Sequence, residues 1–250
     1  MIEVKCIHFD LDSVLYVYTD FIERAIRECT SEMIARGLNA GHDDAIAKLR
    51  QIRAKDPNSH QHFDELCYHF NKSYDKIIIA SAIERYWEIK NTVIKPVFGA
   101  KTVLKTLRDA GYVLTIVTNG IPIKQAGKVV KLGLDKYFYN PENGKFNFFA
   151  GLENGKPKAH LWNEAKKRTG IEHKDSVMVG DRLYSDIYGA NRLKMKTILV
   201  RQGPHASETP EEVYRKKGLK NRDFFRLCRP DAEVDDIREI PKIITQFNKS

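Results

Sequence analysis

The chain is poor in cysteine, and what it has is scattered. Cys6, Cys29, Cys67 and Cys228 are four thiols in 250 residues, with no Cys-x-x-Cys pair. That excludes a zinc finger or ribbon and a disulfide framework, and reduced thiols point to the cytoplasm. Long apolar runs are missing too. The purest one near the middle, residues 77–83, contains a serine and is far shorter than the ~20 residues a membrane span needs. A strand is expected almost at the start, with no charged-then-apolar leader before it, so neither secretion nor a membrane is expected. There is no internal repeat and no low-complexity tract.

What is present is an ordinary globular composition, 42% apolar and 30% charged, with a net charge of +9. A chain of this length buries a sizeable core in one or two domains. The positive surplus favours an anionic partner, either nucleic acid or a phosphorylated small molecule. It is uneven. Residues 213–229 hold seven Lys or Arg against one acid, Asp223, so six of the nine excess charges lie there. One reading is a basic arm for nucleic acid or for drawing in anionic substrate. The other is a solvated helix over residues 210–217 and a linker, with Phe224 and Phe225 as packing anchors. The second is favoured, so nucleic acid is not the expected partner.

The chain is organised around residues 4–15. An apolar-rich run over residues 4–9 predicts a short buried strand. It ends on Asp10 and Asp12, and ligands of open α/β sheets bind at the carboxyl ends of strands. Two acids there repel unless a cation or a proton lies between them. Taken alone, Asp10, Asp12 and Ser13 serve equally well as a turn.

Residues 16–93 carry no strand pattern. Helices are expected over 19–36, capped by Thr19, then over 43–54, ended by Asp56-Pro57, and over 63–70 and 74–89. Beyond them, strands at 113–118, 137–139, 176–179, 197–200 and 232–234 alternate with helices at 100–110, 122–132, 158–169, 186–193 and 240–247. A lone strand is not stable, so the first strand joins these across the insertion. The expected fold is α/β: a doubly wound, Rossmann-like parallel sheet over residues 1–15 and 95–250, with an inserted α-helical cap over 16–94.

Four places gather chemistry. The first strand carries Asp10 and Asp12. The second ends in Thr118, Asn119 and Gly120 and opens into a helix, whose free N–H groups suit a phosphate; a cap and a turn glycine explain it as well. Lys156-Pro157 lies at the mouth of a third helix. Asp181 ends a strand, and Asp186 follows five residues later, where it also suits an N-cap. Jointly, the carboxylates Asp10, Asp181 and Asp186 suit a hard cation with oxygen ligands, most plausibly Mg²⁺. Donors on Thr118, Asn119 and Lys156 suit phosphoryl oxygens.

The order Asp-x-Asp, Thr-Asn-Gly, Lys-Pro and Gly-Asp-x-x-x-x-Asp over residues 4–200 resembles the haloacid dehalogenase-like hydrolase superfamily. The helical insertion resembles the small cap of its phosphoglycolate phosphatase-like subgroup. The resemblance implies that Asp10 is a nucleophile forming an aspartyl-phosphate. It implies that Asp12 is the acid and base, with its backbone carbonyl on the metal. Thr118, Asn119 and Gly120 would bind the phosphoryl group, and Lys156 would neutralise it and Asp10. Asp10, Asp12, Asp181 and Asp186 would hold Mg²⁺.

Two departures stand out. Ser13-Val14 replaces the family's usual Gly-Thr, removing a side-chain hydrogen bond that steadies Asp12. Lys158 stands where an acid is often found, which makes it a competitor of Lys156; the proline spacing favours Lys156. Because Asp12 has no task in a dehalogenase, it argues for a phosphatase. Tyr16, Tyr18 and Thr19 are candidates for lining the hinge. Arg24, Arg27, Arg50, Arg53 and His60 either meet substrate or form a solvated helix face.

The expected activity is therefore Mg²⁺-dependent hydrolysis of a small phosphorylated metabolite, by a monomer or homodimer. Sugar phosphates, phosphoglycolate and a triose phosphate such as glyceraldehyde 3-phosphate are the candidates by resemblance. The rivals are a phosphoglucomutase-like phosphotransferase on the same scaffold and a nucleic-acid-binding protein using residues 213–229.

Overall fold

The computed structural model describes residues 3–17, 19–56, 59–152, 157–219 and 223–249, without the side chains of Thr19 and Asp20. Expectations resting on Tyr18, Pro57, Lys220 and Arg222, and on the Thr19 side chain, lie outside the described residues. The chain divides into two compact units, one of residues 1–17 and 95–250 and one of residues 18–94.

The first unit begins with β1 (Cys6–Phe9), every residue of which is buried. The second unit follows as four helices, α1 (Thr19–Ala35), α2 (His42–Lys55), α3 (His62–Asn71) and α4 (Lys76–Val93). Ala25, Cys29 and Met33 of α1, Leu49 of α2, Leu66 of α3 and Ala82 and Ile89 of α4 form its core. Their helical spacing is what made this block legible. The start of α4 is set by Asp75, whose carboxylate accepts from Ile77 N at 2.9 Å and Ile78 N at 3.2 Å. Arg24 and Arg27 pair with Glu28 and Glu23 on their own helix, and Arg50 also reaches Glu23.

The first unit resumes with α5 (Ala100–Asp109), β2 (Val113–Asn119) and α6 (Pro122–Leu132). A small hairpin of β3 (Tyr139–Asn140) and β4 (Lys145–Phe146) leads to β5 (Phe148–Gly151) and α7 (Ala159–Thr169). After β6 (Ser176–Gly180), a π-helical stretch, Leu183–Tyr188, runs into α8 (Gly189–Arg192) and β7 (Lys196–Val200). The chain closes with α9 (Pro210–Lys216), α10 (Asp223–Leu227), β8 (Ala232–Val234) and α11 (Ile240–Phe247).

Six strands form one parallel sheet in the order β5-β2-β1-β6-β7-β8. Phe9 at the end of β1 stands beside Ile116 on one side and Val179 on the other. Later strands are added outward from β1 in both directions, so the ends of β1, β2 and β6 surround a topological switch point, where such sheets bind ligands. Ile116 and Val117 point to opposite faces of the sheet and both are fully buried, so helices cover both faces. Val117 packs with Trp162 and Leu161 of α7.

The expected parallel sheet with flanking helices is present, and four local expectations are corrected. Residues 135–137 form a 3₁₀ turn rather than the start of a strand, and the short strand is Tyr139–Asn140. The edge strand β5 was not anticipated, because Phe148–Gly151 is too short to show a period. The helix expected over 186–193 begins earlier, as the π-helical stretch.

The fourth correction concerns the basic segment. The expected helix is present as α9 and largely exposed, but the segment also packs on the core. Val213, Phe224 and Cys228 are buried against Leu183, Ile187, Tyr188 and Leu199. Phe224 lies 5.2 Å from the Tyr188 ring, and Lys217 lies 5.5 Å over Tyr184. Phe224 is thus a packing anchor, as its sequence suggested. Phe224→Ala is expected to cost about 3–5 kcal/mol, read as a clear fall in Tm, whereas a solvated arm predicts no change.

Candidate active site

The site lies in the first unit, at the strand ends that the sheet brings together. Asp10 follows β1 directly. Its amide donates to Val179 O at 2.9 Å, and its Oδ1 accepts from Leu11 N at 2.8 Å. Asp181 follows β6, and Asp186 reaches the same point from the π-helical stretch. One ligand oxygen from each of Asp10, Asp181 and Asp186 lies within 4.8 Å of the others, and all three residues are buried. Gly180 makes this approach feasible, since a Cβ there would meet the Asp186 side chain at 2.4 Å. Asp186 Oδ2 accepts from Arg182 N at 3.1 Å.

Three buried carboxylates cannot all remain charged without compensation. One cation is supplied by the chain. Lys158 is about 1% exposed, with Nζ 2.9 Å from Asp10 Oδ2, 2.7 Å from Asp186 Oδ1 and 3.1 Å from Val117 O. Burial works against its charge, but Asp10 and Asp186 more than offset this and hold its pKa above the ordinary lysine value. Burial pushes the Asp10 carboxyl up, with Lys158 opposing and Asp186 and Asp12 adding to the rise. Burial, then Asp186 and Asp10, push Asp181 well above the carboxylate range. Asp181 Oδ1 is buried with no hydrogen-bond partner among the described residues. The donor set is all oxygen, and one of those oxygens lacks a partner. Both features fit a hard divalent cation.

Asp12 belongs to a neighbouring group. Lys128 Nζ lies 2.6 Å from its Oδ1, and Gln125 Nε2 donates to its Oδ2 at 2.8 Å. Burial alone would raise the Asp12 pKa, but the Lys128 charge and hydrogen bonds from Gln125, Lys128 and Tyr16 hold it below the usual value. Ser13 adopts φ +62°, a left-handed conformation that normally favours glycine. Val14 is buried and offers no hydroxyl.

Thr118 and Asn119 end β2. Thr118 is buried, and its Oγ1 accepts from Gln125 at 2.9 Å, leaving its O–H to donate elsewhere. Gly120 plays a different part from the one expected. Its amide already donates to Gly151 O at 2.8 Å, so it is not a free donor for a phosphoryl oxygen. Its φ of +143° and missing Cβ make room for Gln125.

Lys156 lies outside the described residues, and the lysine brought to the carboxylates is Lys158. Sequence reading weighed Lys158 and passed it over. Gln125 and Lys128 were missed entirely, and their three-residue spacing on the face of α6 is the signal that was available.

With this geometry in hand, the relatives are informative. The haloacid dehalogenase-like hydrolase family pattern matches residues 4–194, and a second HAD-hydrolase-like pattern matches residues 153–239. The chain belongs to the haloacid dehalogenase-like hydrolase family. Glyceraldehyde 3-phosphate phosphatase of Pyrococcus abyssi is 35% identical over 201 residues, covering 80% of this chain and 82% of that protein. The enzyme of the same name from Pyrococcus furiosus is 34% identical, covering 82% and 84%. A HAD phosphatase from Thermococcus onnurineus shares the fold, with a TM-score of 0.59 at 22% identity over 96% of this chain and 98% of that one. The chain is a phosphoric monoester hydrolase. No helix among the described residues is long and apolar enough to cross a membrane.

Proposed function

We propose that the chain is a Mg²⁺-dependent phosphatase whose substrate is a triose phosphate, glyceraldehyde 3-phosphate. The observation that carries this reading is the cluster of Asp10, Asp181 and Asp186 at the switch point of the sheet, with Lys158 bridging Asp10 and Asp186. The names of the relatives supply the substrate.

Asp10 attacks phosphorus, forming a new P–O bond as the ester P–O bond breaks. Asp12, which Lys128 and its hydrogen bonds hold below the usual carboxylate pKa, must first take up a proton and then passes it to the departing alcohol oxygen. Lys158 balances charge on Asp10 and the phosphoryl group, while Thr118 and Asn119 offer donors to the phosphoryl oxygens. Water then attacks the aspartyl-phosphate and loses a proton to Asp12, releasing inorganic phosphate and freeing Asp10. Over the cycle Asp12 gives one proton to the alcohol and takes one from water, so the steps balance. Mg²⁺, held by Asp10, Asp181, Asp186 and the Asp12 carbonyl, would supply further positive charge against the phosphoryl oxygens.

Phosphate release from glyceraldehyde 3-phosphate with Mg²⁺ tests the reading, compared with phosphoglycolate and hexose phosphates. Turnover that requires a sugar acceptor would replace it with phosphotransfer. Chelation is expected to stop turnover, and added Mg²⁺ to restore it. Mg²⁺ at a hundredfold excess over its Kd is expected to stabilise the fold by about 2.7 kcal/mol, seen as a higher Tm. Metal-independent hydrolysis would count against the carboxylate cluster.

A further inference from the structure

We propose that Gln125 and Lys128 form a clamp on α6 that positions Asp12 for proton transfer to the leaving alcohol. The inference rests on the reading of Asp12 as the acid and base. Both Asp12 carboxylate oxygens are occupied from this one helix. Lys128 Nζ lies 2.6 Å from Oδ1 and 3.0 Å from Oδ2, and Gln125 Nε2 is 2.8 Å from Oδ2.

The clamp is built rather than incidental. Gln125 is about 3% exposed, and the same Nε2 lies 2.9 Å from Thr118 Oγ1 and 2.8 Å from Asn119 O. One amide therefore ties Asp12 to the end of β2, where the phosphoryl donors stand. Gly120 permits it, since a Cβ there would come within 3.0 Å of the Gln125 side chain. Lys128 is fixed in turn at 5.4 Å from the Tyr16 ring. In the loop after β1, Val14 offers no hydroxyl and Tyr16 offers one hydrogen bond, so most of the support comes from α6.

Without the clamp, the part-exposed Asp12 carboxylate keeps only its Tyr16 hydrogen bond and changes rotamer more readily. A proton donor out of place is felt where the leaving group needs a proton, and hardly at all where it does not. The alcohol of glyceraldehyde 3-phosphate needs one. The p-nitrophenolate of p-nitrophenyl phosphate leaves as a stable anion. The quantity to compare is kcat/KM, because it ends at the first irreversible step, departure of the leaving group.

Two variants, Lys128→Met and Gln125→Leu, are measured with Mg²⁺ on both substrates, with circular dichroism and Tm as folding controls. Lys128 is partly exposed and Met keeps its stem, so this variant retains the fold even if the buried Gln125→Leu does not. Lys128→Met is expected to lose roughly 10- to 100-fold in kcat/KM on glyceraldehyde 3-phosphate and less than about threefold on p-nitrophenyl phosphate, whereas Gln125→Leu, which also releases Thr118 and Asn119, is expected to lose on both. Equal losses on the two substrates for Lys128→Met, or none, would overturn the clamp. A wild-type protein that hydrolyses neither substrate would instead overturn the phosphatase reading.

Discussion

Asp10→Asn is expected to lower kcat/KM for glyceraldehyde 3-phosphate by about 10⁴-fold or more, on the scale seen when a covalent nucleophile is removed. An amide has no anionic oxygen to form the aspartyl-phosphate, and Asp12, the other carboxylate after β1, is engaged by Lys128 and Gln125. The fold should survive. Asn is nearly isosteric, and its Oδ1 can still accept from Leu11 N. Lys158 keeps Asp186 at 2.7 Å. The substitution also removes one of three buried acids whose mutual repulsion and burial push Asp10 above its ordinary range. Tm should therefore change by only a few degrees. Activity above one-thousandth of wild type, in a preparation free of contaminating phosphatase, would remove Asp10 from the role.

Lys158→Met is expected to damage activity and stability together. Asp10 and Asp186 would lose a cation that lies within 3 Å of both. Breaking a buried pair from one side costs about 3–5 kcal/mol, a Tm fall on the order of 10 °C for a chain of this size. Loss of a preorganised charge at the phosphoryl group costs about 10²- to 10³-fold in kcat. Mg²⁺ should recover part of the stability, since it brings positive charge to the same carboxylates, but not the rate. Lys156→Met is the informative control, and the smaller of the two effects is expected at Lys156 on both measures. The reverse order would move the assignment back to Lys156.

These lysines show where reading the chain reaches its limit. Lys156 and Lys158 flank the same proline, and spacing to that proline was the only guide available. Choosing between them requires knowing which ammonium meets Asp10, and Asp10 lies almost 150 positions earlier in the chain. The sheet supplies that neighbour for Lys158: it places β1 between β2 and β6, and Lys158 Nζ, just before α7, lies 2.9 Å from Asp10. Asp12 follows the same logic. Its proximity to Asp10 was visible, but its partners Gln125 and Lys128 are more than a hundred residues away.

The basic segment was read correctly at its helix and at Phe224, but the extent of its packing was missed for a different reason. Its seven cations dominate the composition, and charge density reads as solvation. Val213, Phe224 and Cys228 are too few and too widely spaced to show a helical period, yet they are the residues that bury against Leu183, Ile187 and Tyr188. A short apolar triplet becomes a core only when another element offers a matching face.

Sequence by itself determined the alternation of strands and helices, the helical insertion after the first strand, and the acids at Asp10, Asp181 and Asp186. Each of these is written in local periodicity or in residue type at a strand end. Tertiary structure alone decided that Lys158 meets Asp10 and Asp186, what holds Asp12, and that Val213 and Cys228 of the basic tail pack beside Phe224. Those are contacts between distant segments, and their energies exist only once the parallel sheet has brought the strand ends side by side.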